Sequence, residues 1–135
     1  MPLFWTLDHQ ERLLTAAAVG DVTRPDSDAF LDALEAAGAA AMAYRKLFDG
    51  SRGHTQMTAN DLLALGVRIR GFHALGPMGP LAVVTPPGQG DLVARILGVL
   101  AAADRPMRMF REIAPARRWI AAQAKVAIGD HAGSS

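Results

Sequence analysis

The chain has no cysteine. That excludes disulfide scaffolds, Cys-ligated zinc, iron–sulfur clusters and thiol nucleophiles. Net charge is nearly absent too: 14 Lys and Arg against 13 Asp and Glu leave +1. A strong electrostatic grip on nucleic acid needs a basic excess, so no nucleic-acid partner is expected. Long apolar runs are missing. The longest, Leu13 to Val19 and Leu97 to Ala103, fall well short of the roughly 20 residues that cross a bilayer, and Gly98 interrupts the second. The start, Met1-Pro2-Leu3-Phe4-Trp5, lacks the basic region of a secretory signal. The expectation is a cytoplasmic protein with no transmembrane segment. No internal repeat or low-complexity linker divides the 135 residues, so a single domain is expected over 1–128, with a frayed tail over 129–135. With 50% hydrophobic and 20% charged residues, the composition is that of a folded globule.

Periodicity and turn signals order the elements. Leu3 to Leu7 and Arg12 to Val19 flank the polar Asp8-His9-Gln10-Glu11 and read as a β-hairpin. Thr23 with Asp26 three residues on is an acidic capping box, Pro25 suits a first helical turn, and Phe30, Leu31 and Leu34 form a stripe that ends at Gly38. Ala43 to Asp49 reads as a strand, and Ser51 to Met57 as a long polar loop. Thr58 and Asp61 repeat the capping pattern before a helix carrying Leu62, Leu65, Ile69 and Phe72, stopped by Gly76-Pro77. Leu81 to Thr85 is a short apolar strand covered on both faces. A third helix starts near Gly90-Asp91, Met107 to Arg111 is the last strand, and a fourth helix starts near Pro115. Alternating strands and helices imply parallel pairing, and the hairpin adds an antiparallel element. The fold class expected is α/β, a mixed sheet of about five strands with four helices.

Several segments resemble the SpoIIAA-like (STAS/SEC14-like) family of small bacterial proteins. They are Trp5-Thr6-Leu7-Asp8, Tyr44-Arg45-Lys46-Leu47-Phe48-Asp49-Gly50, Thr58-Ala59-Asn60-Asp61-Leu62, and Met109-Phe110-Arg111-Glu112 before Arg117-Arg118-Trp119. The likeness runs from about Phe4 to Ala124 and rests on core and turn patterns. It implies a mixed sheet with packed helices and a non-enzymatic regulatory or protein-interaction module. Relatives that antagonise anti-sigma factors carry an Asp-Ser pair whose Ser a kinase modifies. No Asp-Ser-Ser-Gly follows Asp49 here; Ser51, Thr55 and Thr58 stand in its place.

The segment from Asp49 to Asp61 draws the main functional expectation, because ligands of open α/β sheets bind beyond the carboxyl ends of strands. Asp49, Gly50, Ser51, Arg52, His54, Thr55 and Thr58 are the candidate ligand or partner loop, and Thr58 is the candidate phosphorylation site. Helix capping is the commoner use of a Thr such as Thr58, and Gly50 favours a turn role for Asp49. His9, His54, His73 and His131 are scattered singly, so no metal and no cofactor are expected. Gly88-Gln89-Gly90 lacks the remaining signatures of a phosphate loop. Arg105, Arg108, Arg111, Arg117 and Arg118 make the C-terminal third locally basic, fit for an anionic lipid or acidic partner. Trp5 and Trp119 read more simply as core than as interface anchors.

Two functions compete. One is the regulatory module with a protein partner, compatible with a homodimer. The other is a carrier or sensor of a small anionic, apolar or lipid-like ligand, its pocket lined by Met57, Met78, Met107 and Met109. An enzyme ranks third: no catalytic residue is assigned, and only a weak hydrolase using His54 with Ser51 or Thr55 stays open.

Overall fold

The computed structural model of the protein describes residues 2–85, 88 and 105–123. Its sheet has five strands in the order β1-β2-β3-β4-β5: Leu3–Asp8, Leu13–Asp21, Arg45–His54, Leu81–Val84 and Met107–Phe110. β1 and β2 pair antiparallel; each later neighbour pairs parallel. The mixed α/β sheet expected from the sequence is therefore present. Among the described residues the helices are α1 (Arg24–Ala37), the single turn α2 (Ala39–Met42), α3 (Ala59–Gly71) and α4 (Ile113–Ala122), with a 3-10 turn at Phe72–Leu75. The helix expected near Gly90-Asp91 and the tail at 129–135 lie outside the described residues.

Local chemistry sets the helix starts. Thr23 and Thr58 each accept from the N–H three residues on, and the Asp26 and Asp61 carboxylates accept from the Thr N–H in return. Those hydrogen bonds hold both carboxyls below the usual carboxylate range. Thr58→Ala should cost about 1 kcal/mol, read as a lower urea midpoint at unchanged slope.

The β2–β3 and β3–β4 connections step across the sheet in one direction, and right-handed crossovers then put α1 and α3 on one face. Phe30, Leu31 and Leu34 of α1 and Leu65 of α3 accordingly pack with Leu14, Ala16 and Ala18 of β2. Burying a side chain of this size stabilises by about 1.5–3 kcal/mol. Trp5 meets Phe30 edge-on at 5.1 Å between centroids. α4 covers the other face, where Ala116 and Ile120 pack on Leu47, Ala82 and Val84, and Trp119 lies 6.0 Å from Phe110. Buried Arg45 ties α4 down: its guanidinium donates to the Ile120 and Glu11 carbonyls at 3.3 and 2.8 Å.

Two local expectations need correction. The chain around Ala43 is not yet strand; α2 intervenes and β3 begins at Arg45. Nor is Ser51 to Met57 a loop. β3 runs on to His54, because its polar end pairs with Val19, Gly20 and Asp21 of β2. The register advances two residues on β2 but three on β3 at this point, from Ala17↔Asp49 to Val19↔Arg52. That is a bulge at Gly50 and Ser51, and it is steadied by Asp49 Oδ1, which accepts from the Ser51 N–H at 3.0 Å and hydroxyl at 2.6 Å. The true connection is 55–58.

Candidate functional site

Of the residues singled out in the sequence, Gly50, His54 and Thr55 line one cavity, whereas Asp49, Ser51, Arg52 and Thr58 are not among its lining residues. Asp49 and Ser51 bond each other within the bulge. Gly50 is buried in β3. Arg52 is exposed, and His54 Nε2 lies 3.9 Å from Asp21 Oδ1 at the end of the ladder. The Thr55 hydroxyl is turned inward, donating to the Val22 carbonyl at 2.6 Å and accepting from the Met57 N–H at 3.0 Å. Thr58 caps α3. Between the starts of α1 and α3, Arg24 reaches Asp61 at 3.2 Å, so the two capping regions are joined by their own side chains. Each helix start already carries the carboxylate of its capping box, which reduces its appeal to an external anion. The C-terminal arginines also divide. Arg108, Arg111, Arg117 and Arg118 are exposed, but Arg105 is buried and its pKa is lowered to about 10 by that burial.

The cavity that Gly50, His54 and Thr55 share lies beneath these residues. It occupies about 200 Å³ between the sheet and the α1–α3 layer. Ala18, Gly50 and Gly53 line it from the sheet floor. Phe30, Leu31 and Leu34 form the α1 wall, Leu62, Leu65 and Ile69 the α3 wall, and Met57, Met78 and Met109 border it. Met107 is not among its lining residues. His54 and Ser27 stand where the lining reaches partly exposed positions.

Among the described residues the lining is mostly apolar; Ser27, Thr55 and the exposed His54 are polar, and its one lysine is Lys46. Only 5% of this residue is exposed. Its Nζ donates to the carbonyl oxygens of Met42 and, at 2.9 Å, Tyr44. Among the described residues no carboxylate lines the cavity or forms an ion pair with Lys46. Burial, reinforced by the positive charge of Arg105, lowers the ammonium pKa to about 7.

Lys46 was missed as a functional residue in the sequence, where it was only part of a family-like segment. A signal was there. Twelve of the 14 basic residues are arginine, and one of the two lysines sits inside the run Ala43-Tyr44-Arg45-Lys46-Leu47-Phe48. Only lysine, of the two types, can readily lose its proton inside a protein.

Among the described residues no three His, Asp or Glu side chains gather as a metal-binding group, and no helix is long and apolar enough to cross a membrane. No family model, curated protein or solved structure matches the chain.

Proposed function

We propose that this protein is a carrier or sensor of a small apolar ligand held between its sheet and the α1–α3 layer. The observation that carries the reading is the cavity of about 200 Å³ with its near-continuous apolar lining. A cavity of about 150 Å³ lined by Leu, Ile and Phe stays dry and accepts benzene, so this one suits a ring or short alkyl chain. The bordering methionines add adaptability, since an unbranched thioether repacks around different shapes. Among the described residues Ser51 bonds Asp49 and His54 lies beside Asp21, so these two do not pair as nucleophile and base, which favours binding over catalysis. The proposal includes a relation to the SpoIIAA-like family. Its support is the mixed sheet with an N-terminal hairpin and the family-like segments, which fall on β1, β3, the start of α3, and β5 with α4.

Toluene or cyclohexane should raise the melting temperature by several degrees near aqueous saturation. A ligand at one hundred times its Kd stabilises by about 2.7 kcal/mol. Leu34→Trp, which puts an indole into the space, should abolish that shift while the variant remains folded. No shift with either probe, together with no small molecule retained in native mass spectrometry, would remove the proposal.

A regulatory module with a protein partner is the second reading. Leu63 and Val67, four residues apart on α3, are 44% and 63% exposed, and they form an apolar pair beside the capped helix start.

A further inference from the structure

Lys46 is an unusual lining residue for a cavity that otherwise suits hydrocarbon. A buried cation is expensive unless a carboxylate or several acceptors compensate it. Among the described residues the compensation is limited to two backbone carbonyls, those of Met42 and Tyr44. Two acceptors match a neutral amine, which has two N–H bonds, whereas an ammonium has a third. With both N–H bonds directed at carbonyls, the remaining tetrahedral position of the neutral amine holds its lone pair. Nearby Arg105 is also buried and positive, so the surroundings favour losing the proton over keeping it. An amine that is uncharged near neutrality and borders an apolar cavity is a nucleophile matched to one kind of small molecule.

We propose that Lys46 captures small apolar aldehydes or ketones reversibly in this cavity as a Schiff base. The inference rests on the cavity being a ligand site and adds the chemical class of the ligand. The Lys46 Nζ lone pair attacks the carbonyl carbon, and the C=O electron pair moves to oxygen. Proton transfer from nitrogen to oxygen gives a neutral carbinolamine. A second proton on that oxygen lets it leave as water, and the nitrogen lone pair forms the C=N bond. The product is a protonated imine, which loses its proton to give the neutral one. Water reverses each step, so no oxidant, reductant or cofactor is consumed. The alkyl or aryl remainder would rest against Phe30, Leu65 and Met109, which line the same space.

The test is reductive trapping on the full chain. Hexanal and cyanoborohydride are added at pH 7 with Nα-acetyl-lysine amide as an internal competitor, followed by peptide mapping by mass spectrometry. The expected result is one hexyl adduct on Lys46, formed at least about tenfold faster than on the competitor, because far more of the Lys46 amine is neutral at that pH. Its rate should be half-maximal near pH 7, and cyclohexane should suppress it by occupying the cavity. Lys46→Met should abolish the adduct, and the toluene-induced thermal shift of the wild type is measured beside it. If that shift occurs but Lys46 reacts no faster than the competitor, the inference is overturned and the apolar site stands. Absence of both signals removes both. Tight hexanoate binding without trapping of hexanal would also overturn it, in favour of an ion-paired carboxylate.

Discussion

Replacing Lys46 with methionine should make the protein more stable at pH 6.5 and less stable at pH 9.5, so that the two stability curves cross. The sign follows from proton counting. The folded-state pKa is about 7 and the ordinary lysine value is 10.5. Between those values the unfolded chain binds more protons at this position than the folded one, so wild-type stability rises with pH across that window. Below about pH 7 both states hold the proton, and the full cost of burying the charge is present. Each unit of pKa difference corresponds to about 1.4 kcal/mol, so the wild type should gain on the order of 3 kcal/mol from pH 6.5 to 9.5 through this residue alone.

Methionine has similar length and volume and no proton to lose, so the variant lacks that slope. It also lacks both donations, which leaves the Tyr44 carbonyl short of a donor, while the Met42 carbonyl keeps its 3.0 Å bond from the Gly79 N–H. Each lost bond costs about 1 kcal/mol. Near pH 6.5 that cost is smaller than the relief of the buried charge, and near pH 9.5 it is not offset. Urea unfolding of both proteins at the two pH values measures the crossing. Parallel curves would mean that Lys46 keeps an ordinary pKa, and would remove the neutral amine on which aldehyde capture depends.

The parts of this site that were readable in the sequence are the ones fixed by near neighbours. Thr23 with Asp26 and Thr58 with Asp61 satisfy their capping boxes within four residues, so composition and spacing alone place both helix starts. The β1–β2 hairpin was legible for the same reason. The far end of β3 was not. Ser51-Arg52-Gly53-His54 has the polarity of a loop, and it becomes strand only because Val19 to Asp21 offers it a parallel edge. Tertiary pairing overrides local preference there. His9 shows the same limit: it looked solitary, yet its Nδ1 lies 2.6 Å from the Tyr44 hydroxyl, 35 residues away. The cavity is less legible still. It arises where Ala18 of β2, Gly50 and Gly53 of β3, and the walls of α1 and α3 meet, and no single segment contains that coincidence. Lys46 gains its chemistry from the same meeting, since burial and two carbonyls change what its amine can do.

Gly79→Ala should be among the most damaging single substitutions in the chain, at about 3–5 kcal/mol, and it should disturb Lys46 without touching it. A Cβ at Gly79 would collide with the carbonyl oxygens of Ala43 and Tyr44, which are main-chain atoms and cannot rotate aside. The surroundings cannot yield easily, because Met42 and Ala43 are fully buried and the Gly79 N–H is already bonded to the Met42 carbonyl. Relief requires moving the turn that joins α2 to β3. That turn and the last residue of α2 carry the two acceptors of the Lys46 amine, so the aldehyde adduct should slow together with the loss of stability. Gly71→Ala provides the contrast. It sits at the end of α3 with nothing within 4 Å of the added carbon, and alanine there should stabilise by roughly 0.5–1 kcal/mol. Urea midpoints of the two variants should therefore move in opposite directions. If Gly79→Ala unfolds at the wild-type midpoint, the close approach of Gly79 to Ala43 and Tyr44 is absent in solution. The geometry that holds the Lys46 amine between its two carbonyls would then fail with it.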